Sequence, residues 1–316
     1  MKDQIKIGIS ACVLGQKVRF DSGHKESRFV TQELADYFSF VPVCPEVGIG
    51  LPVPRPTIRL ISDDERVALV ETKDTSKDYT SDMISYSKDK VAQLNNEQLC
   101  GYIVCAKSPT CGMERVKIYK KNRADKNGVG LFTRELMNKM PWLPVEEDGR
   151  LNDPYLKENF VTRIYCLNDF YQSVGEEPTA GKIIAFHSRY KLTLMAHHPQ
   201  SYKTLGQLVA NVSKYSLEEF YQQYRLGLME AMRHRASRKN NTNVLMHIQG
   251  YFKKKISKEE RQELATIIQD YRKGVLPILA PITLIKHYLN RYPNNYLGQQ
   301  NYLEPYPQDL RLRYAL

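Results

Sequence analysis

Cys12, Cys44 and Cys111 share one sequence context. Each closes or closely follows an apolar, strand-like run: IGISAC, FVPVC and YIVCAKSPTC. In an open α/β sheet, ligands bind beyond the carboxyl ends of the strands, so three such loops can converge although they lie far apart in the chain. Thiolates from three loops, with no fourth obvious ligand, suit a metal site with one open position. Soft sulfur donors select iron–sulfur clusters, zinc or copper(I). The competing reading of each is the small buried residue that cysteine often is. The other cysteines read that way: Cys105 mid-strand, Cys166 on an apolar helix face, Cys100 at a helix end. Six cysteines among 316 residues do not make a disulfide framework.

Two polar residues flank this set. Glu46 stands two positions after Cys44, and Ser108 three before Cys111. A carboxylate beside a metal site can act as a general base on water. A serine there can donate a hydrogen bond to a reacting atom. The plainer alternatives are a surface glutamate and a turn-forming serine before proline.

The elements that must position these residues alternate. Strand-like runs at 5–10, 40–44, 57–61, 67–71, 102–106 and 116–119 are interleaved with helical patterns at 29–38, 80–98 and 130–139. Ser62 to Arg66 reads as the turn of a hairpin. The pattern predicts an α/β domain over residues 1–150, a Rossmann-like parallel or mixed sheet with helices on both faces. Residues 151–184 read as a helix and a linker. Residues 185–316 read as an all-α domain, with helical patterns at 182–197, 201–211, 217–235, 241–253, 257–273 and 278–290 and a tail that wraps a surface.

Charge separates the same regions. Residues 185–316 carry 20 Lys and Arg against 9 Asp and Glu, whereas residues 1–184 carry 26 of each sign. The entire excess of +11 therefore lies in the helical part. A basic domain beside a neutral one suggests a polyanion held by one and processed by the other. Candidate phosphate contacts are Arg189, Lys191, Lys203, Arg233, Arg235, Arg238, Lys239 and the run Lys253, Lys254 and Lys255. Tyr190, Tyr202, Tyr215, Tyr251 and Phe252 are interleaved with them as possible base-stacking rings. His187, His197, His198 and His247 read as core or hydrogen-bonding residues before ligands. No apolar run approaches the roughly 20 residues that span a bilayer, and the N-terminus lacks the features of a signal peptide. The expectation is a cytoplasmic protein with no membrane partner.

The motifs also resemble a family. Ser10-Ala11-Cys12-Val13-Leu14-Gly15 with Val18-Arg19-Phe20-Asp21, Cys44-Pro45-Glu46-Val47, Leu51-Pro52-Val53-Pro54-Arg55 and Ser108-Pro109-Thr110-Cys111-Gly112 are similar to the motifs of the thiouracil desulfidases. The resemblance covers residues 1 to about 150. It implies a [4Fe–4S] cluster on Cys12, Cys44 and Cys111 with one iron free for sulfur, an acid–base role for Glu46 and a supporting role for Ser108. Thr110 and Ser22 depart from it, where serine and glycine are expected. The helical part resembles a YbgA-type domain through Phe186-His187-Ser188-Arg189-Tyr190-Lys191, Asn243-Val244-Leu245-Met246-His247 and Pro281-Ile282-Thr283-Leu284-Ile285-Lys286-His287. The combination resembles desulfidases acting on 4-thiouridine in tRNA, by a non-redox route in which Glu46 activates water and sulfide leaves on the open iron. Two alternatives stay open: a desulfidase of free thiouracil or thionucleobases with a structural helical domain, and a non-enzymatic iron–sulfur sensor that binds nucleic acid.

Overall fold

The computed structural model describes residues 4–62, 66–121 and 123–313. The chain divides into two compact units, Met1–Asn152 and Asp153–Leu316.

The first unit contains β1 (Ile5–Ser10), β2 (Phe38–Val43), α1 (Pro45–Gly48), β3 (Ile58–Ser62), β4 (Val67–Glu71), α2 (Thr80–Asn95), β5 (Tyr102–Val104), β6 (Val116–Tyr119), β7 (Ala124–Gly128), α3 (Leu131–Lys139) and β8 (Val145–Glu147). The sequence suggests one sheet; the structure has two, flanked by helices. The first, in order β2-β1-β5-β8, is parallel throughout. The second, in order β4-β3-β6-β7, is mixed: β3 and β4 form the expected antiparallel hairpin, and β6 pairs parallel to β3. The hairpin turn falls mostly outside the described residues.

β1 buries its last four residues, including Ile7 and Ile9. Gly8 is required between them, because a Cβ there would collide with the Tyr102 ring lying across the strand. The helix expected at 29–38 shrinks to a five-residue π-helical turn, Phe29–Glu33. Phe38 is recruited into β2, where it pairs with Ile5, so sheet pairing overrides the local helical pattern. β7 and β8 carry no strand signal. β7 (ADKNG) is mostly polar and exists through its pairing with β6. β8 (VEE) is buried despite its charges, because Arg150 pairs with Glu146 and the backbone N–H of Met113 donates to Glu147.

The second unit is all helical among the described residues. It comprises α4 (Pro154–Val174), α5 (Ala180–His197), α6 (Pro199–Ala210), α7 (Leu217–Arg233), α8 (Arg238–Tyr251), α9 (Lys258–Lys273), α10 (Leu279–Arg291) and α11 (Asn295–Gly298). Side-chain caps set the starts of most of them. Asp153 accepts from Tyr155 N and Leu156 N, with Pro154 in the first turn. Ser216 with Glu219, and Ser257 with Glu260, form capping boxes on α7 and α9. Leu245, Ile248, Leu264, Ile268 and Ile285 interlock in one core. The tail joins it: Tyr302 is fully buried, and Gln300 Nε2 donates to Ser188 O at 2.8 Å.

His187 lies inside this unit, with Nδ1 3.1 Å from Tyr224 Oη. Burial, aided by Lys191, pushes its pKa down from 6.5 to about 4. The unfolded chain takes up the proton at higher pH than the folded chain. Neutral His187 therefore contributes stability that is complete above pH 6.5 and lost as pH falls towards about 4. A shift of this size corresponds to about 3 kcal/mol. His187→Gln keeps a hydrogen-bonding group for Tyr224 but cannot titrate. Urea unfolding of the variant should lose about 3 kcal/mol less than the parent over this pH interval; an unchanged pH profile assigns the acid sensitivity elsewhere.

Candidate active site

All four strands of the first sheet run the same way, so their carboxyl ends share one edge. Cys12 follows β1 by two residues. Cys44 follows β2 by one and is the N-cap of α1, with Pro45 in its first turn. Cys111 lies in the loop after β5. These residues line one cavity of about 470 Å3, together with Glu46, Ser108 and Cys105. Cys105 is buried as expected, but it sits one residue beyond β5 rather than mid-strand, and it lines the cavity beside Cys12. Cys100 and Cys166 are buried, and neither lines the cavity.

The thiol environment favours protonated sulfur. Its hydrogen bond to Cys105, then burial, raise the pKa of Cys12. Burial raises Cys44 and pushes Cys111 up to about 12. Cys105 is lowered, through the bond from Cys12 and then the charge of Lys25. Cys12, Cys44 and Cys111 therefore favour protonated sulfur until a metal centre replaces their protons. Among the described residues, no group of three His, Cys, Asp or Glu side chains gathers around a point as a single metal ion requires. The three thiols line the wall of one shared cavity.

Glu46 is held on both sides. Arg55 donates to Oε2 from Nε at 2.9 Å and from a terminal nitrogen at 2.6 Å. Arg55 is itself almost fully buried and also donates to Val18 O and Pro52 O. On the other side, Thr110 Oγ1 donates to Glu46 Oε1 at 2.9 Å. Having given its proton there, Thr110 accepts from Ser108 Oγ, also at 2.9 Å. Ser108 Oγ in turn accepts from Cys111 N at 3.1 Å. A directed hydroxyl chain thus runs from Ser108 through Thr110 to Glu46, and it is tied to the backbone of a cysteine.

Neighbouring strands brace the loops. Asp148, just past β8, accepts from Ala106 N at 2.9 Å and pairs with Lys25 at 2.8 Å, fixing Lys25 on the cavity wall. Thr133 of α3 donates to Cys111 O at 2.7 Å. Gly130 lets α3 start against the cysteine loop, since a Cβ there would stand 2.5 Å from the Thr110 carbonyl.

The structure therefore brings together Cys12, Cys44, Cys111, Glu46 and Ser108. Sequence reading did not assign Arg55, Lys25, Thr110 or Cys105 to the site. The available signals were an arginine inside a proline-rich apolar loop and a cysteine six residues before Cys111.

The basic candidates of the second unit divide by environment. Arg189 is committed to Asp169 and Ser173, and Arg233 to Glu230. Lys203, Arg235, Lys239, Lys253, Lys254 and Lys255 are exposed; Lys191 and Arg238 are partly buried. Tyr190 and Phe252 are core residues, which removes them as base-stacking rings, while Tyr251 is exposed and stacks on Tyr296. His187 and His197 are buried and hydrogen-bonded, and His198 caps α6.

Three thiols and a carboxylate oriented by Arg55 and Thr110 thus meet at the carboxyl edge of a parallel sheet. Residues 7–148 match the 2-thiouracil desulfurase family, and residues 191–307 match a family of unknown function, DUF1722. The uncharacterized protein YbgA of Escherichia coli (strain K12) is 39% identical over 159 residues, which make up 50% of this chain and 94% of that protein. A solved [4Fe-4S]-dependent thiouracil desulfidase, TudS, aligns at 25% identity over 48% of this chain and 95% of its own, with a TM-score of 0.39. The chain belongs to the YbgA family through its helical unit, and its α/β unit matches the 2-thiouracil desulfurase family. No helix among the described residues is long and apolar enough to cross a membrane.

The Thr110 hydroxyl has a role that its methyl cannot fill. Thr110→Val should lower desulfidase turnover about tenfold or more, the scale of one lost hydrogen bond to a charged group. Thr110→Ser should restore it. Equal activity of the two variants would show that Glu46 needs no hydroxyl partner.

Proposed function

We propose that this chain is a non-redox desulfidase converting 4-thiouridine in tRNA to uridine, with a [4Fe–4S] cluster on Cys12, Cys44 and Cys111. The observation that carries this reading is the convergence of three thiols and Glu46 on one cavity of a 2-thiouracil desulfurase domain. The donor set fits the cofactor. All three candidate ligands are sulfur, they come from separate loops around an open cavity, and three thiolates leave one iron of such a cluster without a protein ligand. When bound, the cluster supplies a Lewis acid that polarises the thiocarbonyl and accepts its sulfur as sulfide.

The chain's own groups perform the remaining tasks. The Glu46 carboxylate takes a proton from the water that adds to C4 of the base. Arg55 and Thr110 fix its two oxygens, so the carboxylate approaches in one orientation. The C–S bond breaks as the C–O bond becomes a carbonyl, and no net electron is transferred. Lys25, held by Asp148, places a positive charge on the cavity wall. The helical unit contributes a basic surface for phosphate, with exposed Lys253, Lys254 and Lys255 as its densest run.

A second reading, desulfuration of a free thionucleobase, is favoured by the description of the matched family and by a cavity large enough for a base. The separating experiment is anaerobic reconstitution followed by nucleoside chromatography of bulk tRNA, with free 2-thiouracil in parallel. Loss of 4-thiouridine supports the tRNA reading. Turnover confined to the free base transfers the assignment to the second. Replacing Lys253, Lys254 and Lys255 together with alanine should weaken tRNA binding and flatten its salt dependence, because fewer counterions are released.

Cofactor and base are tested separately. Each of Cys12→Ser, Cys44→Ser and Cys111→Ser should abolish iron-associated absorbance, while Cys100→Ser and Cys166→Ser retain it. Glu46→Gln should keep the absorbance and lose about 10²–10⁴-fold in turnover. A normal cluster spectrum in Cys44→Ser would remove that residue from the ligand set.

A further inference from the structure

The helical unit contains a second cavity, of about 120 Å3, in which arginines from separate segments converge. Arg235 comes from the α7–α8 connection, Arg238 from the start of α8, and Arg313 from the tail. Two are rigidly held. Arg238 donates to Tyr271 O at 2.6 Å and lies 4.8 Å from the centre of the Tyr271 ring. Arg313, with 13% of its side chain exposed, donates to Tyr302 O at 3.1 Å and to Glu158 Oε1 at 3.3 Å. Arg235 is exposed and lies 5.9 Å from the centre of the Tyr155 ring.

The charge of this cavity does not balance. Glu158 is the one carboxylate on its wall, and its Oε1 already accepts from Arg313 and from Tyr306 Oη. Among the described residues, no carboxylate forms an ion pair with Arg235 or Arg238. Guanidinium groups placed together in a half-enclosed space repel one another unless an anion joins them. Each guanidinium has five N–H donors in a planar fork, and a few are spent on backbone oxygens. That geometry matches the oxygens of a phosphate. The cavity is small for a nucleoside but has room for a tetrahedral oxyanion. At its rim, the half-exposed Tyr155 ring offers a face for a neighbouring unstacked base.

We propose that Arg235, Arg238 and Arg313 form a built pocket for one backbone phosphate of RNA. The proposal rests on the reading of the helical unit as RNA-binding and gives that unit a specific anchoring point. It differs from the lysine-rich surface in kind. Flexible exposed lysines track the backbone as point charges, whereas two guanidinium groups here are fixed in advance.

The test uses the full-length protein and bulk tRNA, with binding measured across a KCl series. Arg235 makes no backbone hydrogen bond among the described residues, so Arg235→Ala should leave thermal unfolding unchanged. It should weaken tRNA binding about tenfold and reduce the slope of log Kobs against log [KCl] by about 1. Lys214→Ala removes the same charge from an exposed site outside the pocket and should have a much smaller effect. Equal effects of the two substitutions, or wild-type affinity in Arg235→Ala, would overturn the proposal while leaving tRNA binding by the unit intact. Absence of salt-dependent tRNA binding by the parent protein would instead remove the RNA reading itself. Inorganic phosphate is the third arm. If it raises the thermal midpoint of the parent but not of Arg235→Ala, and tRNA affinity is the same in both, the pocket serves a free oxyanion and the RNA assignment is overturned.

Discussion

Parallel pairing of β1 with β2 on one side and β5 on the other is the constraint on which the candidate site depends. The β1–β2 register runs from Ile5 opposite Phe38 to Ser10 opposite Val43, so the two strands end side by side. Cys12 and Cys44 then emerge at the same edge within two residues of their strand ends. β5 pairs with β1 through Gly8 and Ile9, which places Cys105 and the Ser108–Cys111 loop beside them. A slip of one residue in any pairing would turn buried Ile7 and Ile9 towards the other face of the sheet. Core burial therefore protects the spacing of thiols that make no contribution to the core register themselves.

A buried cation connects stability to chemistry. Arg55 has 3% of its side chain exposed and directs its strongest bonds to Glu46. Removing one partner of a buried pair typically costs about 3–5 kcal/mol, because the other is left uncompensated. The proline-rich loop that carries Arg55 is thus docked by the same carboxylate proposed to activate water. Folding of that loop orients the carboxylate, and the Ser108–Thr110 chain completes its hydrogen bonding from the opposite side. The site is in this sense preorganised by interactions that also hold the unit together.

On the proposed tRNA reading, the two units divide the physical work. The α/β unit supplies soft donors, a carboxylate and enclosure. The helical unit supplies surplus positive charge on a scaffold of well-capped helices. A thiolated base inside folded RNA must leave its stack to reach such a cavity, at a cost of a few kcal/mol. A small free base has no such cost. Charge concentrated in one unit is therefore meaningful for a polymeric substrate and superfluous for a free base, which is why charge placement favours the first reading.

Much of this organisation was legible in the chain. Helices of the second unit were marked by 3.6-residue periodicity, and the structure adds the caps Asp153, Ser216 and Ser257 at three of their starts. These are local signals and survive without tertiary context. Cys12, Cys44, Cys111 and Glu46 could be singled out because strand-end loops in a parallel sheet share an edge. Other features depend on partners distant in sequence. β7 and β8 lack strand-like composition and form through pairing, with the acids of β8 neutralised by Arg150 and the Met113 backbone. The 29–38 helical pattern yields to β2 because Phe38 gains a sheet partner. Cys105 moves from mid-strand to the cavity wall because β5 ends two residues earlier than its apolar run. The links from Arg55 and Thr110 to Glu46 span 9 and 64 residues, and the arginine cavity joins residues 155 to 313. Sequence alone determined the residue types and the local elements; only tertiary structure decided which side chains meet, because hydrogen bonds and ion pairs act over a few ångströms of space whatever their separation along the chain.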